Sequence, residues 1–430
     1  MTILNLSNIK RVHFVGIGGI GISSIARMML LKGKKVSGSD TSDSQITKEL
    51  SHLGAKISIS HKKENLTPKT DLVIYSIAVP ENNPELIKAG KLKVKTLTYP
   101  EALGSISKNF FTIAVSGTHG KTTTTAMLAK IFIDAALKPT VVVGSLLKDQ
   151  KSNFIAGDGK FFIVEACEYK RSFLKLEPKI LAITNIDNDH LDYYKNLKNI
   201  QKAFSELIAK IPKNGFLVCN ANNSKIKPIL KSAKCRIINY GKLNKKFQLK
   251  FPGRHNLENA KAAFAVGSII GLKEKEMINS LKNFSGTWRR FDFKGRTKKG
   301  ALIYDDYAHH PTEIKATLKS FKEKFPKKRL TVVFQPHLFS RTKLLLNNFA
   351  ESFEDADKVI VAPIYAAREK EDKKINSEIL AEKIREQGKS VLALENFSKI
   401  VDYLMTDAGK NDVIILMGAG DIYKVAERLT

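Results

Sequence analysis

Short β-branched runs separated by helix-length stretches set the rhythm of the chain from its start. Val12 to Val15, Lys35 to Gly38 and Leu72 to Tyr75 read as strands, and a helix is predicted from about Ile22 to Leu31. That alternation predicts βαβ units around a parallel sheet. A second series opens after Tyr99-Pro100, with strands at Phe111 to Val115, Thr140 to Val143, Phe161 to Val164 and Ile180 to Thr184, and a helix from about Thr122 to Ala135. A third follows Arg290-Phe291, with strands at Ala301 to Tyr304, Leu330 to Phe334, Lys358 to Ala362 and Val413 to Met417. Three α/β domains are therefore expected, over residues 1–105, 106–291 and 292–430, each around a largely parallel sheet.

Composition narrows the class without naming a chemistry. A chain of 430 residues exceeds one ordinary core, and 43% hydrophobic with 27% charged residues suits a soluble globular protein. No apolar run approaches the roughly 18 residues that a membrane span needs, so integral membrane association is not expected. Met1 to Arg11 lacks the long apolar stretch of an export signal, and Cys167, Cys219 and Cys235 are odd in number and widely spaced. Both features make the cytoplasm the expected compartment. The formal charge of +30 raises nucleic acid or an anionic membrane surface as a partner. Because the lysines are spread along the chain with no basic arm or basic-aromatic module, solvated faces are expected and nucleic-acid binding is not.

Two glycine loops carry the candidate chemistry. Gly16, Gly18, Gly19 and Gly21 follow the first strand and open a helix, with Asp40 after the next strand. Glycines there let backbone amides approach a diphosphate, which leaves a nicotinamide dinucleotide, a UDP-type pyrophosphate or close packing as readings. The second loop is sharper: Gly117, Thr118, His119, Gly120, Lys121, Thr122 and Thr123 lie between a strand and a helix. Its amides suit ATP phosphates, Lys121 supplies a point charge, and the Thr122 hydroxyl suits Mg²⁺. The loop departs from the usual spacing, which would place glycine at Val115. Glu165, at the end of a predicted strand, stands where an acid commonly holds the same ion.

Over essentially its whole length the chain resembles the Mur ligase family. The residues that carry the resemblance are HFVGIGGIGISSIA, VSGSD, SGTHGKTTTT, TNIDNDHLDYY, GRHNLENAKAA, RRFD, DDYAHHPTEI, FQPHLFSRT and GAGD, in that order. The resemblance implies three domains: a Rossmann-like N-terminal domain for the UDP-sugar, a central P-loop ATPase domain and a Rossmann-like C-terminal domain. It implies that Glu165 and His190 join Thr122 as ligands of Mg²⁺ or Mn²⁺, and that Asn256, Asn259 and Asp306 contact ATP. Tyr307, His309 and Arg341 would meet the incoming amino acid, with His309 a candidate base. Sister ligases place a carbamylated lysine where Phe204 stands here, so no carbamate is expected. Members of the alanine-adding branch carry a basic residue at the position of Leu338, which shifts carboxylate recognition toward Arg341.

The implied reaction joins L-alanine to the lactyl carboxylate of UDP-N-acetylmuramate in peptidoglycan precursor synthesis. ATP phosphorylates the carboxylate, and the amine then attacks the acyl phosphate. Bringing the ligands together would need closure, with hinges expected near Tyr99 to Leu103 and Arg289 to Asp292. A recycling ligase that attaches a murein tripeptide to the same sugar nucleotide is the neighbouring alternative. An NAD-dependent dehydrogenase would explain Gly16 to Gly21 but leaves Lys121, Glu165 and Asn256 without a task. The expected assembly is a monomer or homodimer.

Overall fold

The computed structural model describes residues 8–150, 152–367 and 369–430. Met1 to Ser7, on which part of the argument against an export signal fell, lie outside the described residues. The chain divides into two compact units: residues 1–188, 196–247 and 259–284 form one, and residues 189–195, 248–258 and 285–430 form the other.

The first unit holds two sheets. One has five parallel strands in the order Lys56–Ser58, Lys35–Ser39, Arg11–Val15, Leu72–Tyr75, Lys95–Thr98. Arg11–Val15 is central, and connections leave it in opposite directions on its two sides, so the loop at its C-terminal end sits at a topological switch point. The other has seven strands, with Phe111–Ser116 between Ile180–Ile183 and Phe161–Glu165. Its pairs are parallel except Thr140–Leu147 with Ser152–Ile155. Strands buried on both faces need no polar alternation, as Phe161 to Val164 and Ile180–Ile183 show.

The second unit holds a six-stranded sheet in the order Asp292–Arg296, Leu302–Asp306, Asp412–Met417, Arg329–Phe334, Lys358–Val361, Val391–Ala393. Only the first of these is antiparallel to its neighbour. Asp412–Met417 is buried throughout, and rings of Phe321, Phe334, Phe349 and Phe353 pack one face of the sheet. The three largely parallel sheets agree with the sequence expectation. Neither of the two expected hinge segments coincides with a boundary between the units. Tyr99 to Leu103 begins the helix Tyr99–Ser107, closed by a capping box between Thr98 and Glu101, and lies inside the first unit. Arg289 to Asp292 lies inside the second unit, where Arg289 is fixed to Asp305 at 2.9 Å.

Candidate active site

The glycine loop after Arg11–Val15 is held by the end of the neighbouring strand Lys35–Ser39. Gly16 N donates to Ser39 O at 2.8 Å and Gly16 takes φ +77°, a left-handed conformation that glycine adopts without a side-chain clash. Asp40 does not face outward: its Oδ2 accepts Gly18 N and its Oδ1 accepts Thr41 N, each at 2.8 Å. A Cβ at Gly21 would come within 2.9 Å of the Tyr99 ring, so the helix Ile20–Leu31 can pack here only without a side chain at that position. The donors left by this arrangement are the amides of the first helical turn, the usual anion site of such a loop.

The second loop has a different architecture. Gly117 and Gly120 take φ +130° and +79°, and a Cβ at Gly120 would stand 2.3 Å from Asn259 Oδ1. Asn259 is thus pressed against the loop it was expected to accompany. The helix Lys121–Asp134 starts on Gly120, and its first bond, Thr124 N to Gly120 O at 2.9 Å, leaves the amides of Lys121, Thr122 and Thr123 directed out of the helix start. The segment after Ile180–Ile183 braces the loop from the other side. Asn185 Oδ1 accepts His119 N at 2.9 Å, Thr118 Oγ1 accepts Asp187 N at 2.8 Å, and His119 Nε2 lies 3.2 Å from Asp187 Oδ2.

Lys121 turns its ammonium inward. Nζ donates to Gly117 O at 2.6 Å and Thr118 O at 2.9 Å, and pairs with Glu168 Oε2 at 2.9 Å. Burial works against its charge, but Glu168 foremost, with Cys167 and Glu165, holds the lysine pKa above its ordinary value. The sequence reading missed Glu168, whose side chain is only 2% exposed. Thr122 Oγ1 donates to Glu165 Oε1 at 3.0 Å, and Gly144 N donates to Oε2 at 2.7 Å. Two oxygen ligands at right angles on Mg²⁺, each at about 2.1 Å, stand about 3 Å apart, so this pair fits the ion.

In the second unit, the expected amino-acid residues form one cluster. His190 has φ +52° and heads the short helix Leu191–Tyr194. Asp189, which was not singled out from sequence, lies 3.8 Å from His190 Nε2 and 3.1 Å from Arg341 NH2. Burial opposes ionisation of Asp189, yet His190, Arg341, His309 and His310 hold its carboxyl far below the usual range. Arg341 also brings NH1 to 3.1 Å from His337 Nδ1. His309 Nδ1 lies 3.0 Å from Tyr307 O and 3.2 Å from Glu313 Oε2, and burial pushes its pKa down to about 4 despite Glu313. Leu338 is buried with φ +71°, its amide donating to Tyr365 O at 2.9 Å.

The two expected adenosine contacts in this unit face the chain itself. Asp306 Oδ2 accepts Phe291 N at 2.8 Å and Oδ1 accepts Ala308 N at 2.9 Å, so the carboxylate shapes the strand-to-helix turn. Asn256 Nδ2 donates to Pro252 O at 2.7 Å. The helix Pro311–Lys324 follows directly, with His310 as its cap. Phe204 lies in the core of the first unit, edge-to-face with Phe173 at a centroid distance of 5.1 Å, while Lys202 is exposed.

A phosphate loop heading a parallel sheet, with a lysine and a hydroxyl–carboxylate pair at its mouth, defines the nucleotide-dependent class. Three models cover most of the chain: Mur ligase family, catalytic domain (residues 11–111), Mur ligase middle domain (115–248) and Mur ligase, glutamate ligase domain (289–420). The chain belongs to the Mur ligase family. Among its relatives, a UDP-N-acetylmuramate–L-alanine ligase of Clostridium botulinum is 44% identical, with 97% of each chain covered. One of Acetivibrio thermocellus is 43% identical, over 99% of this chain and 97% of the relative. Among solved structures, a UDP-N-acetylmuramate-alanine ligase of Thermotoga maritima superposes with a TM-score of 0.83 at 28% identity, covering 98% of both chains.

Proposed function

We propose that the chain is an ATP-dependent ligase that joins L-alanine to UDP-N-acetylmuramate, giving UDP-N-acetylmuramoyl-L-alanine, ADP and phosphate for peptidoglycan precursors. The observation that carries this reading is the 44% identity, end to end, to a relative with that activity. The site supplies parts for it. A carboxylate does not condense with an amine directly, because oxide is a poor leaving group. Attack of a lactyl carboxylate oxygen on the γ-phosphorus of ATP breaks the bond to ADP and makes an acyl phosphate. The alanine nitrogen then attacks the acyl carbon, the bond to the phosphate oxygen breaks, and the amine loses a proton.

Gly117 to Thr123 would cradle the ATP phosphates, with Lys121 leaving its loop carbonyls and Glu168 to face them. Thr122 and Glu165 would hold Mg²⁺, with His190 as a further ligand, and the ion supplies charge neutralisation on the phosphoryl group. The UDP diphosphate would lie at the helix start beyond Gly16, Gly18, Gly19 and Gly21, with Asp40 fixing that loop. Asn256, Asn259 and Asp306 would serve the adenosine side, the last through the turn that it shapes. Tyr307, His309 and Arg341 would meet alanine. The domain limits 1–105, 106–291 and 292–430, a cytoplasmic location and a monomer or homodimer complete the reading. No helix among the described residues is long and apolar enough to cross a membrane.

The acyl phosphate is tested by ¹⁸O in the lactyl carboxylate. One labelled oxygen should appear in the released phosphate for each turnover. Unlabelled phosphate would exclude carboxylate phosphorylation.

A further inference from the structure

The five-stranded sheet gathers at one edge charge that is dispersed in the sequence. Because all five strands are parallel, they all begin on the same edge, opposite the glycine loop. Three of them begin with Arg11, Lys35 and Lys56, a fourth with Lys95, and the fifth follows Lys69. Asp71 is the only carboxylate in these strand-start segments, and it accepts the amides of Lys10 and Arg11 at 2.8 and 2.7 Å. Arg11 and Lys35 stand directly opposite one another in register. Like charges so placed weaken a sheet, and an external anion would relieve them.

Apolar side chains mark the same edge. The helices Ile20–Leu31, Gln45–His52 and Pro84–Lys91 run back toward it. At their ends stand Leu31, Leu53 and Leu92, which are 60%, 47% and 38% exposed. Each helix exit turns through a left-handed residue, Gly33, Gly54 and Lys93, the last at φ +54°. Leucines projecting among lysines match a lipid surface, where apolar groups enter the acyl boundary and cations meet anionic headgroups. Nucleic acid would use the cations and leave the leucines without a role.

We propose that this edge of the N-terminal sheet is a peripheral docking face for an anionic phospholipid surface, which leaves the glycine-loop edge open. The test is co-sedimentation of the full chain with vesicles of phosphatidylcholine, with and without about one-third phosphatidylglycerol, across a salt series. Binding should be about tenfold tighter to the anionic vesicles and should fade with salt. Reversal of Lys35, Lys56, Lys93 and Lys95 to Glu should bring it to the neutral-vesicle level, and Leu31→Ser with Leu53→Ser and Leu92→Ser should weaken it several-fold. Turnover in solution should not change in either variant, which also reports that they fold. Equal binding to both vesicles, or anionic binding untouched by charge reversal, would overturn the proposal. So would leucine variants that bind normally while single-stranded RNA competes for the face.

Discussion

Lys121 shows what a single residue does in the phosphate loop. Its ammonium rests on two loop carbonyls and Glu168, a carboxylate that burial would otherwise make costly. Lys121→Ala should abolish ligation, a loss well beyond tenfold. It should also lower the melting temperature, because removing one partner of a buried pair costs about 3 to 5 kcal/mol. Combining it with Glu168→Gln should restore the melting temperature but not the turnover; restored turnover would remove Lys121 from the phosphate site. Arg341 presents the same problem beside Asp189. Arg341→Lys keeps a cation there but loses the planar fork, so steady-state kinetics should show a raised KM for L-alanine with the fold retained. An unchanged KM would take Arg341 out of the amino-acid pocket.

His309 gives a pH test at the same scale. In the unfolded chain it titrates near 6.5, whereas the folded protein holds it neutral down to about 4. Between those values the unfolded state binds more protons, so His309 makes stability fall as pH falls from 6.5 to 4. Chemical denaturation should show a shallower decline for His309→Gln over that window, and identical slopes would contradict the burial argument. An imidazole with so low a pKa is a weak proton acceptor, which limits His309 as the base for the amine.

Many elements were legible where burial is two-sided, although the buried strand Phe216–Cys219 was not. Apolar runs such as Ile180–Ile183 announced central strands, and the glycine–threonine loop announced a helix start. Edge strands were not legible: Lys95–Thr98 is short, half exposed and mostly polar, and Arg236–Asn239 offers only the pair Ile237 and Ile238, too short a run to announce a strand. Of the site, the phosphate loop and Thr122–Glu165 could be read from residue type and position. Glu168, Asp187 and Asp189 could not, because their roles depend on tertiary partners rather than on spacing. Asp40 and Asp306 were singled out as ligand-facing acids, and each accepts backbone amides, Asp40 from Gly18 and Thr41 and Asp306 from Phe291 and Ala308. The helix Leu197–Ile208 is a clear case of an element testing a family difference. Phe204 fills core space against Phe173, so Phe204→Ala should cost about 3 to 5 kcal/mol. Activity should not respond to bicarbonate, and Lys202→Ala should be mild; a bicarbonate-rescued defect there would show a carbamate after all.

At the scale of the molecule, the division of residues between units matters more than the linear order of domains. The candidate metal ligand His190 and the amino-acid cluster belong to the second unit, while the phosphate loop and Glu165 belong to the first. The proposed reading therefore assigns roles to side chains of both units. The most direct measurement of the central claim is phosphate release with ATP and UDP-N-acetylmuramate, offering L-alanine, glycine, L-serine or a murein tripeptide in turn. The account predicts release that requires both nucleotides and has its highest kcat/KM with L-alanine. Preference for the tripeptide, or release that ignores UDP-N-acetylmuramate, would contradict it.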